Sequence, residues 1–134
     1  MGPRLLVLLY MVLGLFAILG ANSAYLSAIT FMEWWKDELY QNYFYQYMFL
    51  AHLVLGIILV LPFLVFAFAH LKLAYKRKNR RAVKAGFALL WISLILLLSG
   101  FALMRVEGFE VRNPNTRSML YWAHVVTPVL AVWL

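Results

Sequence analysis

The chain has three histidines, and all of them lie inside or at the ends of apolar stretches: His52, His70 and His124. Ionisable side chains at membrane depth are costly and usually face a bundle interior, a ligand or a proton relay. His52 and His70 are 18 residues apart. On an α-helix this is about five whole turns, so both point to one face, about 27 Å apart along the axis. Neutral imidazole is an axial ligand of haem iron. The spacing therefore predicts a helix that holds two flat cofactors, one near each membrane surface.

His124 supplies a partner for His52. Helical rise places each of them five or six residues inside the outer end of its apolar stretch, roughly 8 Å below the outer surface. We expect the two imidazoles to ligate one haem iron from both sides within a helix bundle. Gly56, one turn below His52, leaves room for a porphyrin near the backbone, although glycine also serves close helix packing in membranes.

His70 predicts a second haem on the inner side. Its partner should follow His124 by about 14–18 residues, beyond Leu134. A chain that stopped at the apolar Val132-Trp133-Leu134 would leave carbonyl groups stranded in lipid, so we expect the chain to continue. A five-coordinate inner haem, a ligand from another chain, and an interfacial His70 with a solvated ring are the alternatives.

The composition is that of a membrane protein. The 134 residues are 66% hydrophobic and 13% charged, whereas a soluble domain carries about 25% charged residues. The absence of cysteine excludes disulfides, thiolate metal sites and covalent c-type haem attachment within the chain. Seven of the twelve basic residues lie between Lys72 and Lys84. Short basic loops stay in the cytoplasm, where they also contact anionic lipid, and this clustering argues against a nucleic-acid site.

Four apolar spans predict an all-α integral membrane four-helix bundle, formed by residues 1–134 as a single domain. The spans cover about 5–29, 47–71, 83–103 and 118–134, and a crossing needs about 20 apolar residues. With the basic loop inside, the N-terminus is cytoplasmic, the first span is an uncleaved signal anchor, and Phe31–Gln46 lies outside. We expect a multi-pass protein of the cytoplasmic (inner) membrane.

The outer segment Phe31–Gln46 is dense in tryptophan and tyrosine. Such rings prefer the headgroup layer, so the segment predicts an interfacial belt or a short surface helix. A landing surface for a partner subunit and a wall of a quinone pocket are the alternatives.

The stretch His52-Leu-Val-Leu-Gly56, then His70, Ser99-Gly100 and Tyr121-Trp-Ala-His124, resembles a known family. It is similar to the dihaem cytochrome b bundle of quinol–cytochrome c oxidoreductases and to the cytochrome b subunits of respiratory dehydrogenases. The resemblance covers spans two to four. It implies haem b and electron transfer between the quinone pool and other subunits of a redox complex, such as a multihaem or c-type cytochrome. The chain departs from the family in its 18-residue histidine spacing and in lacking a fourth histidine.

Haem propionates are anionic, and arginine pairs with carboxylates through two parallel hydrogen bonds. The arginine candidates are Arg105, Arg112 and Arg117 outside, and Arg80 and Arg81 inside. Solvated loop charges are the alternative. A quinone pocket near the outer interface would use Glu33, Asp37 or Glu38 as proton acceptors.

Three other functions stay open. A chlorophyll-type pigment protein needs one histidine for each magnesium, and a structural or assembly subunit needs no cofactor. A transporter with a histidine relay would place Asp or Glu within the spans, where the sequence has none. No nucleophile or acid–base pair appears there either, so we expect an electron-transfer subunit rather than an enzyme by itself.

Overall fold

The computed structural model describes residues 2–75, 79–104 and 111–134. Within these ranges the chain forms four helices, which are α1 (Pro3–Lys36), α2 (Tyr43–Ala74), α3 (Arg80–Leu103) and α4 (Pro114–Trp133). For this part of the chain the all-α prediction is confirmed. The chain divides into two compact units, Met1–Leu71 and Lys72–Leu134, and each is described by itself. The assignment of residues 1–134 to a single domain stays a prediction.

Helix α1 begins at Pro3, where the missing N–H of proline is no loss because the first helical N–H groups have no partner anyway. It ends at Asp37, whose left-handed φ of 54° turns the chain while its N–H donates to the Glu33 carbonyl. The Glu33 carboxylate then accepts from the Tyr40 backbone N–H and the Gln41 side-chain amide, both at 3.1 Å. The outer segment therefore consists of the end of α1, a pinned loop and the start of α2, and the predicted separate surface helix does not form.

Helices α1 and α2 pack through an apolar cluster. Its buried members are Val12, Leu19 and Leu59, with partly buried Leu15, Phe16, Leu55, Phe63 and Phe66 around them. The α2 members recur at steps of three and four, so they form one helix face. His52 and His70 lie on that same face by spacing. The histidine face of α2 therefore contacts α1 between His52 and Phe66.

Two polar side chains of α1 also reach α2. The Asn22 side chain, only 5% exposed, donates from Nδ2 to the Met48 carbonyl at 2.9 Å. Ser23 Oγ lies within hydrogen-bonding distance of His52 Nδ1, at 3.4 Å. Each contact fixes α1 and α2 at the same height along the pair.

In the second unit, helices α3 and α4 lie against each other. Asn79 and Asn113 cap them, each side chain accepting from two backbone N–H groups of the first turn. Ser99 and Thr127 are buried, at 3% and 6% exposure. Small side chains of this kind let two membrane helices approach closely.

Among the described helices, α1, α2 and α3 are long and apolar enough to cross a membrane. Helix α4 has 20 residues but starts with a polar turn and does not reach the same hydropathy. The three apolar helices indicate a membrane protein. A fourth crossing and the sidedness of the chain stay predictions.

Candidate functional site

The ring of His124, on α4, is held against the backbone of α3. Its Nδ1 lies 3.1 Å from the Leu96 carbonyl and 3.2 Å from Ser99 Oγ. A carbonyl can only accept, so Nδ1 carries the proton and Nε2 carries the lone pair of the neutral ring. Metal-ligating histidines are held in this way, with one ring nitrogen donating to a carbonyl and the other facing the metal.

Gly100 provides the space for the His124 ring. A Cβ atom built on Gly100 would lie 2.9 Å from Cε1 and 3.4 Å from Nδ1 of that ring. A larger residue would therefore push the imidazole away from the Leu96 carbonyl. The Ser99-Gly100 pair thus both bonds and seats the ring.

Pro128 interrupts the hydrogen-bond ladder of α4 at His124. Proline lacks the N–H that would donate to the carbonyl four residues earlier, which belongs to His124. The Thr127 hydroxyl donates to that carbonyl instead, at 3.3 Å. The backbone at His124 is thereby satisfied by a side chain of the next turn.

His52 is half-buried, and Ser23 Oγ lies 3.4 Å from its Nδ1. A hydroxyl can donate or accept, so this contact allows either tautomer of the ring. A Cβ atom built on Gly56 meets no heavy atom of the described chain within 4 Å. Gly14, Gly20 and Gly86 show the same open surroundings, so a porphyrin beside Gly56 stays a prediction.

His70 has a buried ring nitrogen that lacks a partner. Its Nδ1 makes no hydrogen bond within the described residues, and its ring stacks on Phe66 with centroids 5.3 Å apart. A buried polar atom without a partner costs about 1–3 kcal/mol. The residue as a whole is only half-buried, so the haem-ligand and the interfacial interpretations of His70 both stay predictions.

The structure places the other predicted site residues as follows. Arg80, Arg81 and Arg112 are exposed, Arg117 is half-buried in the first turn of α4, and Arg105 lies outside the described residues. His52 and His124 belong to different units, so their pairing on one iron stays a prediction. Within the described chain no three histidine or acidic side chains gather to hold a bare metal ion, but a haem needs only one or two protein ligands.

Two of the three acidic candidates for a quinone site, Glu33 and Glu38, form hydrogen bonds within the outer loop. Both oxygens of Glu33 are engaged by the loop. The Tyr40 hydroxyl donates to Glu38 at 2.8 Å, and this hydrogen bond raises the pKa of Tyr40, with desolvation and the charge of Glu38 acting in the same direction. These contacts hold Glu33 and Glu38 in the loop, and a quinone role for the acidic residues stays a prediction.

Sequence reasoning missed Asn22, Ser23 and Thr127, although each is a polar residue within an apolar helix. The rarity of polar residues within such helices was the signal that could have identified them.

Comparison with protein-family models, with curated proteins and with solved structures found no match.

Proposed function

We propose that this chain is a membrane b-type cytochrome that passes electrons across the bilayer. The observation that carries the proposal is the seating of His124, whose Nδ1–H donates to the Leu96 carbonyl and whose ring fills the space above Gly100. A ring held through Nδ1 directs the lone pair of Nε2 toward a ligand. The chain has no cysteine to offer iron, and its three histidines all lie in or beside apolar stretches.

In this proposal His52 and His124 hold an outer haem b, and His70 holds an inner one. Haem supplies a one-electron iron couple whose potential depends on axial ligands, hydrogen bonds and burial. Ser99 and the Leu96 carbonyl orient the His124 ring, Ser23 contacts the His52 ring, and the apolar faces exclude water. Arg117 and Arg80, each at the start of a helix, would pair with propionates near the two surfaces.

The proposed topology has four crossings with a cytoplasmic N-terminus in the inner membrane. It is supported by the three apolar helices and by the basic residues that flank the connection between α2 and α3. The loop between α1 and α2 then lies outside. The electron partners are the quinone pool and other subunits of a redox complex, such as a c-type or multihaem cytochrome.

The test is a reduced-minus-oxidised visible spectrum of the full chain, purified in detergent after expression with haem supplied. We expect a sharp b-type band, and an extracted haem that dissociates without a thioether linkage. His124→Ala and His52→Ala should each lose most of the outer-haem signal, and added imidazole should restore part of it. His70→Ala is the matched control, because it should spare that signal.

Unchanged spectra in His52→Ala and His124→Ala would contradict the proposal, as would a flat spectrum of the parent chain with its helicity intact. Far-red absorption by the extracted cofactor would instead assign a chlorophyll-type pigment protein.

A further inference from the structure

The outer end of the α1–α2 pair, residues 31–43, exposes an unusual amount of aromatic and apolar surface; we call it the outer tip. Phe31, Trp34 and Trp35 form a ring cluster with centroids 5.9–6.5 Å apart. Trp34 and Trp35 are 76% and 71% exposed, and Leu39 in the loop is 87% exposed. Exposed apolar clusters of this kind mark contact sites for lipid or protein.

The loop of the outer tip is held by hydrogen bonds. Glu33 pins the loop through Tyr40 and Gln41, and the left-handed Asp37 closes the end of α1. Leu39 therefore projects from a turn that these hydrogen bonds hold in place. A preformed surface loses less conformational freedom on binding, which favours docking.

Helix length decides how far the tip stands from the bilayer. Helices α1 and α2 have 34 and 32 residues, about 51 and 48 Å, while the hydrocarbon core is about 30 Å thick. On the proposed topology the inner boundary lies near Leu5 and near Leu71. A crossing of about 20 residues then ends at Ala24 on α1 and at His52 on α2. Ser23 contacts His52, so both counts put the outer hydrocarbon boundary at one level.

On the proposed topology and at ordinary tilt, the tip therefore lies beyond the lipid headgroups. Trp34 is about 16 Å past Ser23 by helical rise, and the headgroup layer on one side is only about 5–7 Å thick. Bringing Trp35 into that layer would need a helix tilt of about 35–40°, at the upper end of the range seen for membrane helices. Lipid does not cover this surface at ordinary tilt, so a protein is the better occupant.

The charge of the tip indicates the kind of protein. The tip carries three carboxylates, those of Glu33, Asp37 and Glu38, and one ammonium group, that of Lys36, which gives it a local charge of −2 in a chain of net charge +7. Complementary potentials select partners and speed their encounter. A partner with basic groups around an apolar contact fits this pattern.

We propose that the outer tip docks a protein on the outer side of the membrane, one whose apolar depression is bordered by lysine and arginine. Trp34, Trp35 and Leu39 are the anchors, since buried aromatic residues supply most of the energy at such interfaces. The inference rests on the topology given under the proposed function but needs no haem.

The test places the photocrosslinker benzoylphenylalanine at Leu39 in the full chain, in native membranes, and identifies the adducts by mass spectrometry. The matched control is the same substitution at Leu61, which is 71% exposed but lies in the middle of α2. We expect a protein adduct at Leu39, joined to a peptide flanked by basic residues, and lipid adducts alone at Leu61.

A second arm neutralises the tip with Asp37→Asn and Glu38→Gln, which keep the shape of both side chains and the left-handed turn. The protein adduct at Leu39 should fall at least threefold. Lipid adducts at Leu39, a second copy of this chain as the adduct, no adduct, or an unchanged yield after neutralisation would each overturn the proposal. If the chain binds no haem but still gives the protein adduct, the docking proposal is supported and only the haem proposal fails. If the chain binds haem but gives no adduct, only the docking proposal fails.

Discussion

A single backbone oxygen organises the surroundings of His124. The Leu96 carbonyl accepts from Ser99 Oγ at 3.0 Å and from His124 Nδ1 at 3.1 Å. A carbonyl on a helix is a rigid acceptor, because its position is fixed by the helix itself. The orientation of the imidazole is therefore set by α3 as a whole. At His52 the corresponding contact is with the Ser23 hydroxyl, which can rotate.

Gly100→Ala should destabilise the α3–α4 pair by about 1–3 kcal/mol and lower haem content, because overpacking forces the His124 ring off its acceptor. The added Cβ would meet that ring at 2.9 Å. Thermal unfolding by circular dichroism, together with the haem-to-protein ratio, measures both effects. Gly86→Ala on the same helix is the control, since a Cβ there meets nothing within 4 Å. Equal behaviour of the two variants would contradict the assigned seat of the ring.

The histidines themselves could be found from the sequence, since three ionisable rings stand out among apolar neighbours. Ser99-Gly100 was also recognisable within the motif that suggested the family. The Leu96 carbonyl could not be found, because every residue has a carbonyl and only the packing of α4 on α3 selects this one. Ser23 was hidden for a similar reason, as its contact with His52 depends on the register between α1 and α2.

At the scale of the helix, Thr127 compensates for Pro128. Thr127→Val keeps the side-chain shape but leaves the His124 carbonyl without its hydroxyl donor, so we expect a loss of about 1–2 kcal/mol in unfolding free energy. Thr30→Val is a matched control. The Thr30 hydroxyl also donates to a carbonyl one turn back, that of Leu26, but no proline removes the backbone donor there. Titration with a denaturing detergent measures the unfolding free energy of both variants. Equal losses in the two would contradict the role of Thr127 in replacing the donor that Pro128 lacks.

Asn22 connects α1 to α2 through its donor alone. Its Oδ1 has no partner within the described residues, while Nδ2 donates to the Met48 carbonyl. Asn22→Leu, with the same branching, removes a costly lone acceptor together with one donor and should change the unfolding free energy by less than about 1 kcal/mol. Asn22→Asp should cost about 2–3 kcal/mol or more, because an oxygen would then face the Met48 carbonyl. Thermal unfolding measures the stability of both variants. A larger loss of unfolding free energy for Asn22→Leu than for Asn22→Asp would refute the assigned orientation of the amide.

Helix ends were harder to predict than helix cores. Hydropathy marks where a chain crosses lipid, and the first span was accordingly expected to end near Ile29. The structure continues α1 to Lys36, because the stop is set by the left-handed Asp37 and not by polarity. Helices α3 and α4 likewise begin at the asparagine caps Asn79 and Asn113, which lie outside the apolar stretches. Local backbone chemistry therefore adds turns that a hydropathy pattern does not contain.

For the whole molecule, the decisive question is on which side of the membrane each connection lies. The basic residues near Lys84 and the tip at Leu39 lie on opposite sides if α2 crosses once, and residue Thr116 returns to the side of Leu39 if α3 crosses once. The absence of cysteine makes the chain a clean background for labelling. A single introduced thiol then reports one position without further substitutions.

We expect Leu39→Cys and Thr116→Cys to react with a membrane-impermeant maleimide in cells whose outer membrane has been made permeable while the inner membrane stays closed. Lys84→Cys should react only after the inner membrane is opened, since positive loops stay in the cytoplasm. Leu61→Cys, which is exposed in the middle of α2, should stay unreactive in both conditions if α2 crosses the bilayer, and it serves as the control. Labelling of Lys84→Cys in intact cells would reverse the orientation, and protection of Thr116→Cys would show that α3 does not return the chain to the outer side.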